Sequence, residues 1–70
     1  MIVEFKGGII DGDIYAYPDD YNIEPIVLVK GVGNSLHEYR FMDAITDQNS
    51  GEKTYTFRFY QVLTVGEKRL

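Results

Sequence analysis

The sequence predicts an all-β fold: about five antiparallel strands in a meander, closed as a small barrel or curled into a sheet. Three observations carry this. Residues 53–65 alternate over an unusually long stretch, with Tyr55, Phe57, Phe59, Leu63 and Val65 on one side. Thr54, Thr56, Arg58, Tyr60 and Thr64 take the other side, and only Gln61 interrupts the apolar row; this is the period of a strand with one buried face. Turn-forming sequences fall at Gly7-Gly8, at Gly31-Val32-Gly33-Asn34 and over residues 47–52, where they separate short extended segments. Finally, 10 of the 70 residues are Tyr or Phe, side chains that suit a pleated, half-buried surface. A chain of this length holds one core, so residues 1–70 form a single small domain.

In chain order, Met1, Val3 and Phe5 alternate with Ile2, Glu4 and Lys6 to give a first strand, which Gly7-Gly8 ends. Residues 9–17 read as a second extended segment bent at Gly12. Strict alternation there puts Ile10, Ile14 and Ala16 toward the core and Asp11, Asp13, Tyr15 and Tyr17 outward. Residues 18–22 are a loop by composition, ended by Pro25. The run Ile26-Val27-Leu28-Val29 before Lys30 is apolar without alternation, the pattern of a strand covered on both faces. Residues 35–47 admit two readings. A strand faces Tyr39, Phe41 and Ile45 to the core and pairs across the 47–52 turn with the last strand. Alternatively, Ser35 and Glu38 form a capping box for one short helix over 36–46, giving an α+β fold. The long strand that follows needs an antiparallel partner, which favours the first reading.

Composition removes several chemistries. There is no cysteine, so disulfides, thiolate metal sites and thiol catalysis are absent. His37 is the only histidine, and it reads as a solvent-facing residue at a strand end. On an extended segment its neighbours point to the opposite face, so it cannot form a relay with Ser35 or Glu38. The formal net charge of −4 argues against nucleic-acid binding, whose affinity rests on Lys and Arg. No segment has the length or apolarity of a membrane span, and Met1–Lys6 lacks the layout of a signal peptide, which points to the cytoplasm. Asp11-Gly12-Asp13 resembles the start of a calcium loop, but the glycine and the distal glutamate fall at the wrong positions. No catalytic, cofactor or metal site is therefore expected, and the protein reads as a non-enzyme.

Two surfaces remain as candidates. The first is an outward face of Tyr15, Tyr17, Arg40, Arg58 and Tyr60, combining the residue types most enriched at binding hot spots. The second is an acidic surface of Asp11, Asp13, Asp19, Asp20 and Glu24. The expected function is protein binding, with an unidentified protein partner. The alternative is a small-ligand or nucleotide binder in which the Tyr/Arg face stacks on a base and holds phosphate. Self-association as a homodimer is a further expectation, because so short a chain builds a thin core.

The opening Phe5-Lys6-Gly7-Gly8-Ile9-Ile10-Asp11-Gly12 resembles the F-x-G-G-x-x-D-G start of short uncharacterised phage and prophage proteins. Tyr39-Arg40 and Tyr55–Tyr60 correspond loosely to later segments of such proteins, and Ile9 stands where they often carry proline. Apart from the resemblance, the acidic surface suits an inhibitor of a host factor that presents carboxylates where phosphates would sit; the resemblance itself implies a phage-encoded accessory protein of the host-cell cytoplasm. It implies no activity.

Overall fold

The computed structural model describes residues 1–66. Five strands form a single sheet: β1 (Ile2–Lys6), β2 (Ile14–Ala16), β3 (Ile26–Lys30), β4 (Ser35–Thr46) and β5 (Lys53–Thr64), in the spatial order β2-β1-β5-β4-β3. Residues 35–46 are therefore strand, and the capped helix does not form. The all-β expectation holds, but the purely antiparallel meander does not. β3, β4 and β5 do run as a meander, whereas β1 lies parallel to β5, from Ile2 opposite Thr54 to Lys6 opposite Arg58. The sheet is mixed because the β1–β2 hairpin docks on β5. A local sequence pattern cannot announce that long-range choice.

The connection from β1 to β2 turns sharply. Gly7 and Gly8 have φ of 84° and 67°, a left-handed backbone that L-residues with a Cβ resist. A short 3-10 turn over Gly8–Ile10 follows. The extended segment expected over residues 9–17 thus shrinks to three strand residues. Its faces are also the reverse of those expected: Tyr15 opposes the buried Val3, while Ile14 opposes Glu4 and is 61% exposed. The misplaced residues follow from the turn, which resets the phase of the alternation before β2 begins.

Two β-bulges interrupt β4–β5. Tyr60 is the extra residue on β5 between the pairs Phe59–Tyr39 and Gln61–Glu38. Met42 is the extra residue on β4 between Phe41–Phe57 and Asp43–Thr56. Each bulge moves the following side chains to the other face. Leu63, expected in the core row, instead opposes Leu36 on the same face as Glu38. Ile45, also expected in the core, opposes Thr54 and is 64% exposed.

On the concave side Val3, Phe5, Tyr39 and Phe57 form the core, with Ile10, Tyr17, Ile23, Val27, Val29, Tyr55 and Phe59 packed around them. The ring of Phe5 meets Tyr39 edge-on at 5.3 Å, and the ring of Tyr39 meets Phe59 at 5.7 Å. Residues 17–25 cross from β2 to β3, the two outer strands, and carry Tyr17 and Ile23 under the core. The radius of gyration is 14.5 Å, against about 11 Å for a compact chain of this length. The long β4–β5 hairpin accounts for the excess: Phe41–Thr46 run beyond the last β3 residue that β4 pairs with.

Candidate functional site

Opposed residues on neighbouring strands share a face, so the register assigns the candidate side chains. One rung crosses four strands on the convex side. Lys6 opposes Arg58, Arg58 opposes Arg40, and Arg40 opposes Ile26. Three cations on adjacent strands span about 10 Å at the usual interstrand spacing. Like charges set directly opposite each other destabilise a sheet, so this rung needs compensation.

Arg40 has it. Its Nε donates to Glu38 Oε2 at 2.6 Å, while Gln61 Nε2 donates to Glu38 Oε1 at 3.0 Å. Glu38 is itself buried. The bonds from Gln61 and Arg40 hold its carboxyl below the usual glutamate range, and the bond to Glu38 raises Arg40 above its own. The guanidinium carbon of Arg40 also lies 3.5 Å from the centre of the Tyr60 ring, a cation–π contact. Bulging at Tyr60 brings Gln61 into line with Glu38, so the irregularity in the strand assembles this cluster.

Lys6 and Arg58 make no ion pair among the described residues. Glu4 and Asp43 stand on the next rung, both opposite Thr56. At the diagonal separation of about 7–8 Å they temper the field of Arg58 without pairing with it. A cleft of about 460 Å³ lies between the two free cations and is lined also by Gly7, Met42 and Phe59. It sits beside the Arg40 held by Glu38 and Tyr60.

Of the five residues expected on the Tyr/Arg face, the sheet gathers Arg40, Arg58 and Tyr60. Tyr15 and Tyr17 lie on the opposite side. Tyr15 packs edge-on against Phe5 at 5.9 Å, and Tyr17 stacks on Tyr21 at 4.6 Å. Lys6, Glu38 and Gln61 belong to the cluster but escape sequence reasoning, because register and bulges decide their neighbours. The acidic stretch is partly engaged in local bonds. Asp11 Oδ1 accepts the Gly7 N–H at 2.6 Å, and Asp13 Oδ2 accepts the Tyr15 hydroxyl at 3.2 Å. Asp19 Oδ1 accepts the Met1 ammonium at 2.9 Å. That bond lowers the Asp19 carboxyl and raises the ammonium. Asp20 and Glu24 remain exposed. Among the described residues, no group of three or more His, Asp or Glu side chains is placed to hold a metal ion.

His37 is half-buried on the concave side, opposite Val29 and Val62 and 6.0 Å from the Phe59 ring, not solvent-facing as expected. Its Nδ1 is buried without a partner among the described residues. Ser35, two residues earlier on β4, shares the face of His37 instead of pointing away from it as expected, but its hydroxyl donates to the Val32 carbonyl at 2.7 Å, so its proton is not directed at the imidazole. Among the described residues, no helix is long and apolar enough to cross a membrane. Comparison of the chain with protein-family models, characterised proteins and solved structures finds no match.

Proposed function

We propose that the protein is a non-enzymatic binding module whose convex face docks an acidic patch on a protein partner. The observation that carries this reading is the rung Lys6–Arg58–Arg40, in which Arg40 is fixed between Glu38 and Tyr60. An arginine already immobilised loses little side-chain entropy on binding, and arginine and tyrosine dominate interface hot spots. Lys6 and Arg58 beside it offer charge that no ion pair neutralises among the described residues. The convex face is preferred to the acidic stretch because three of the five carboxylates there already hold local bonds.

Affinity capture from a lysate with wild type, Arg58→Glu and Asp20→Lys baits tests the reading. A captured protein that is lost with Arg58→Glu and kept with Asp20→Lys supports it. Equal capture by the wild type and Arg58→Glu refutes it. The second reading is a nucleotide or similar small anion in the Lys6–Arg58 cleft, favoured by the volume of about 460 Å³, which falls within the ordinary range for ligand sites. Ligand that binds only the folded state raises the melting temperature. An unchanged melting temperature at millimolar nucleotide ends that reading.

A further inference from the structure

Strand β3 is in an unusual position for its composition. Ile26, Val27, Leu28 and Val29 are apolar on both faces, the pattern of an interior strand. Yet β3 closes one end of the sheet, and Ile26 and Leu28 are 49% and 52% exposed. The other free edges carry protection of the kind natural sheets use. β2 is three residues long, the free stretch of β4 holds the Met42 bulge and Asp43, and the free stretch of β5 begins at the Tyr60 bulge. The β3–β4 register has no bulge.

The direction of the backbone groups follows from the ladder. The Pro25 carbonyl accepts the Phe41 N–H at 2.9 Å, and the Gly31 N–H donates to the Ser35 carbonyl at 2.9 Å. Odd-numbered residues of this segment therefore turn their N–H and C=O toward β4, and Ile26, Leu28 and Lys30 turn theirs outward. Pro25, the residue that would normally blunt an edge, lacks its N–H on the inner side and leaves the outer edge intact.

We infer that this edge pairs with the same edge of a second copy, antiparallel about a twofold axis at Val27. In that register Ile26 opposes the copy's Leu28, so the two exposed apolar side chains cover each other. Glu24 falls opposite the copy's Lys30, twice by symmetry. Neither Glu24 nor Lys30 has an ion-pair partner among the described residues. An isologous interface needs one self-complementary patch; this patch is self-complementary in hydrogen bonds, apolar contacts and charge at once. The pairing is independent of the convex-face partner, since β3's outer edge carries none of Lys6, Arg58 or Tyr60.

The absence of cysteine makes the register directly testable. On the twofold axis Val27 meets its own copy as a non-hydrogen-bonded pair, with Cα atoms about 4.5 Å apart, within reach of a disulfide. Val27→Cys is expected to form a cross-linked dimer under mild oxidation, and Gly33→Cys, outside the paired segment, is not. Sedimentation of the cysteine-free chain is expected to show a dimer. Lys30→Glu or Glu24→Lys alone weakens it by roughly tenfold, and the double reversal restores it. Leu28→Pro removes an outward N–H together with the exposed Leu28 side chain and leaves every hydrogen bond to β4 in place, so it gives a folded monomer by circular dichroism. A wild-type chain that stays monomeric at hundreds of micromolar overturns the inference. So does a dimer that keeps its affinity in Leu28→Pro, or one in which the charge reversals fail to compensate.

Discussion

Removing one oxygen atom, by Tyr39→Phe, tests how the two parts of the sheet are joined. Tyr39 is fully buried on β4, and its hydroxyl donates to the Gly7 carbonyl at 2.6 Å. The same hydroxyl accepts the Ile10 N–H at 3.3 Å. These bonds tie the β3–β4–β5 meander to the turn of the β1–β2 hairpin across about 30 residues of sequence. Each is worth about 1 kcal/mol net, and half-burial of both backbone partners makes their loss harder for water to replace. The expected destabilisation is about 2 kcal/mol, a large share of the roughly 4–10 kcal/mol that holds a chain of this size together. It appears as a melting temperature lowered by about 8–16 °C, followed by circular dichroism, and as a lower urea midpoint at unchanged slope. Tyr55→Phe, on the neighbouring strand, is the control and shifts stability by no more than about 0.5 kcal/mol. A Tyr39→Phe protein that melts within about 3 °C of wild type refutes the assigned role of the hydroxyl.

Other perturbations separate causes in the same way. Gly8→Ala and Gly12→Ala both force a side chain into left-handed backbone, at φ of 67° and 85°. Only at Gly8 does the new Cβ also meet the Tyr39 hydroxyl and Phe59 Cδ1, the latter at 2.9 Å. Gly12→Ala should therefore cost about 1–2 kcal/mol and Gly8→Ala distinctly more; equal costs would show that the turn yields freely. Glu38 titrates below its ordinary 4.5 in the folded state. Its contribution to stability is complete above that pH and disappears as pH falls through the lowered value. Urea midpoints measured from pH 6 down to pH 3 should thus fall less steeply in Glu38→Gln, which starts less stable at pH 6. Parallel pH profiles would remove Glu38 from the acid transition.

Much of the fold is legible in the sequence because alternation and turn chemistry are local. Gly7-Gly8, the 47–52 turn and the extents of β4 and β5 follow from neighbours in the chain. Side-chain assignments fail where phase is broken without a compositional mark. Nothing in Tyr60 or Met42 identifies either as the extra residue of a bulge, yet these two positions decide where Gln61, Leu63 and Ile45 point. β2 is misread for a related reason: the 3-10 turn at Gly8–Ile10 shifts the count before the strand begins. Arg40, Arg58 and Tyr60 are found by residue type. Lys6 joins them only through the parallel pairing of β1 with β5, a contact between the two ends of the described chain.

That parallel pairing also orders events in time. Ile2 opposes Thr54, 52 residues later, whereas β3, β4 and β5 pair through nearby turns. Closing the longer loop carries the greater entropic penalty, so the meander has the faster route to structure and β1 joins a template already formed. During synthesis the first strand waits roughly 3–10 s for its partner to be made. Through that interval Val3 and Phe5, half of the buried core cluster, have no sheet to enter. The aggregation hazard therefore lies in β1, and its resolution depends on the later synthesis of β5.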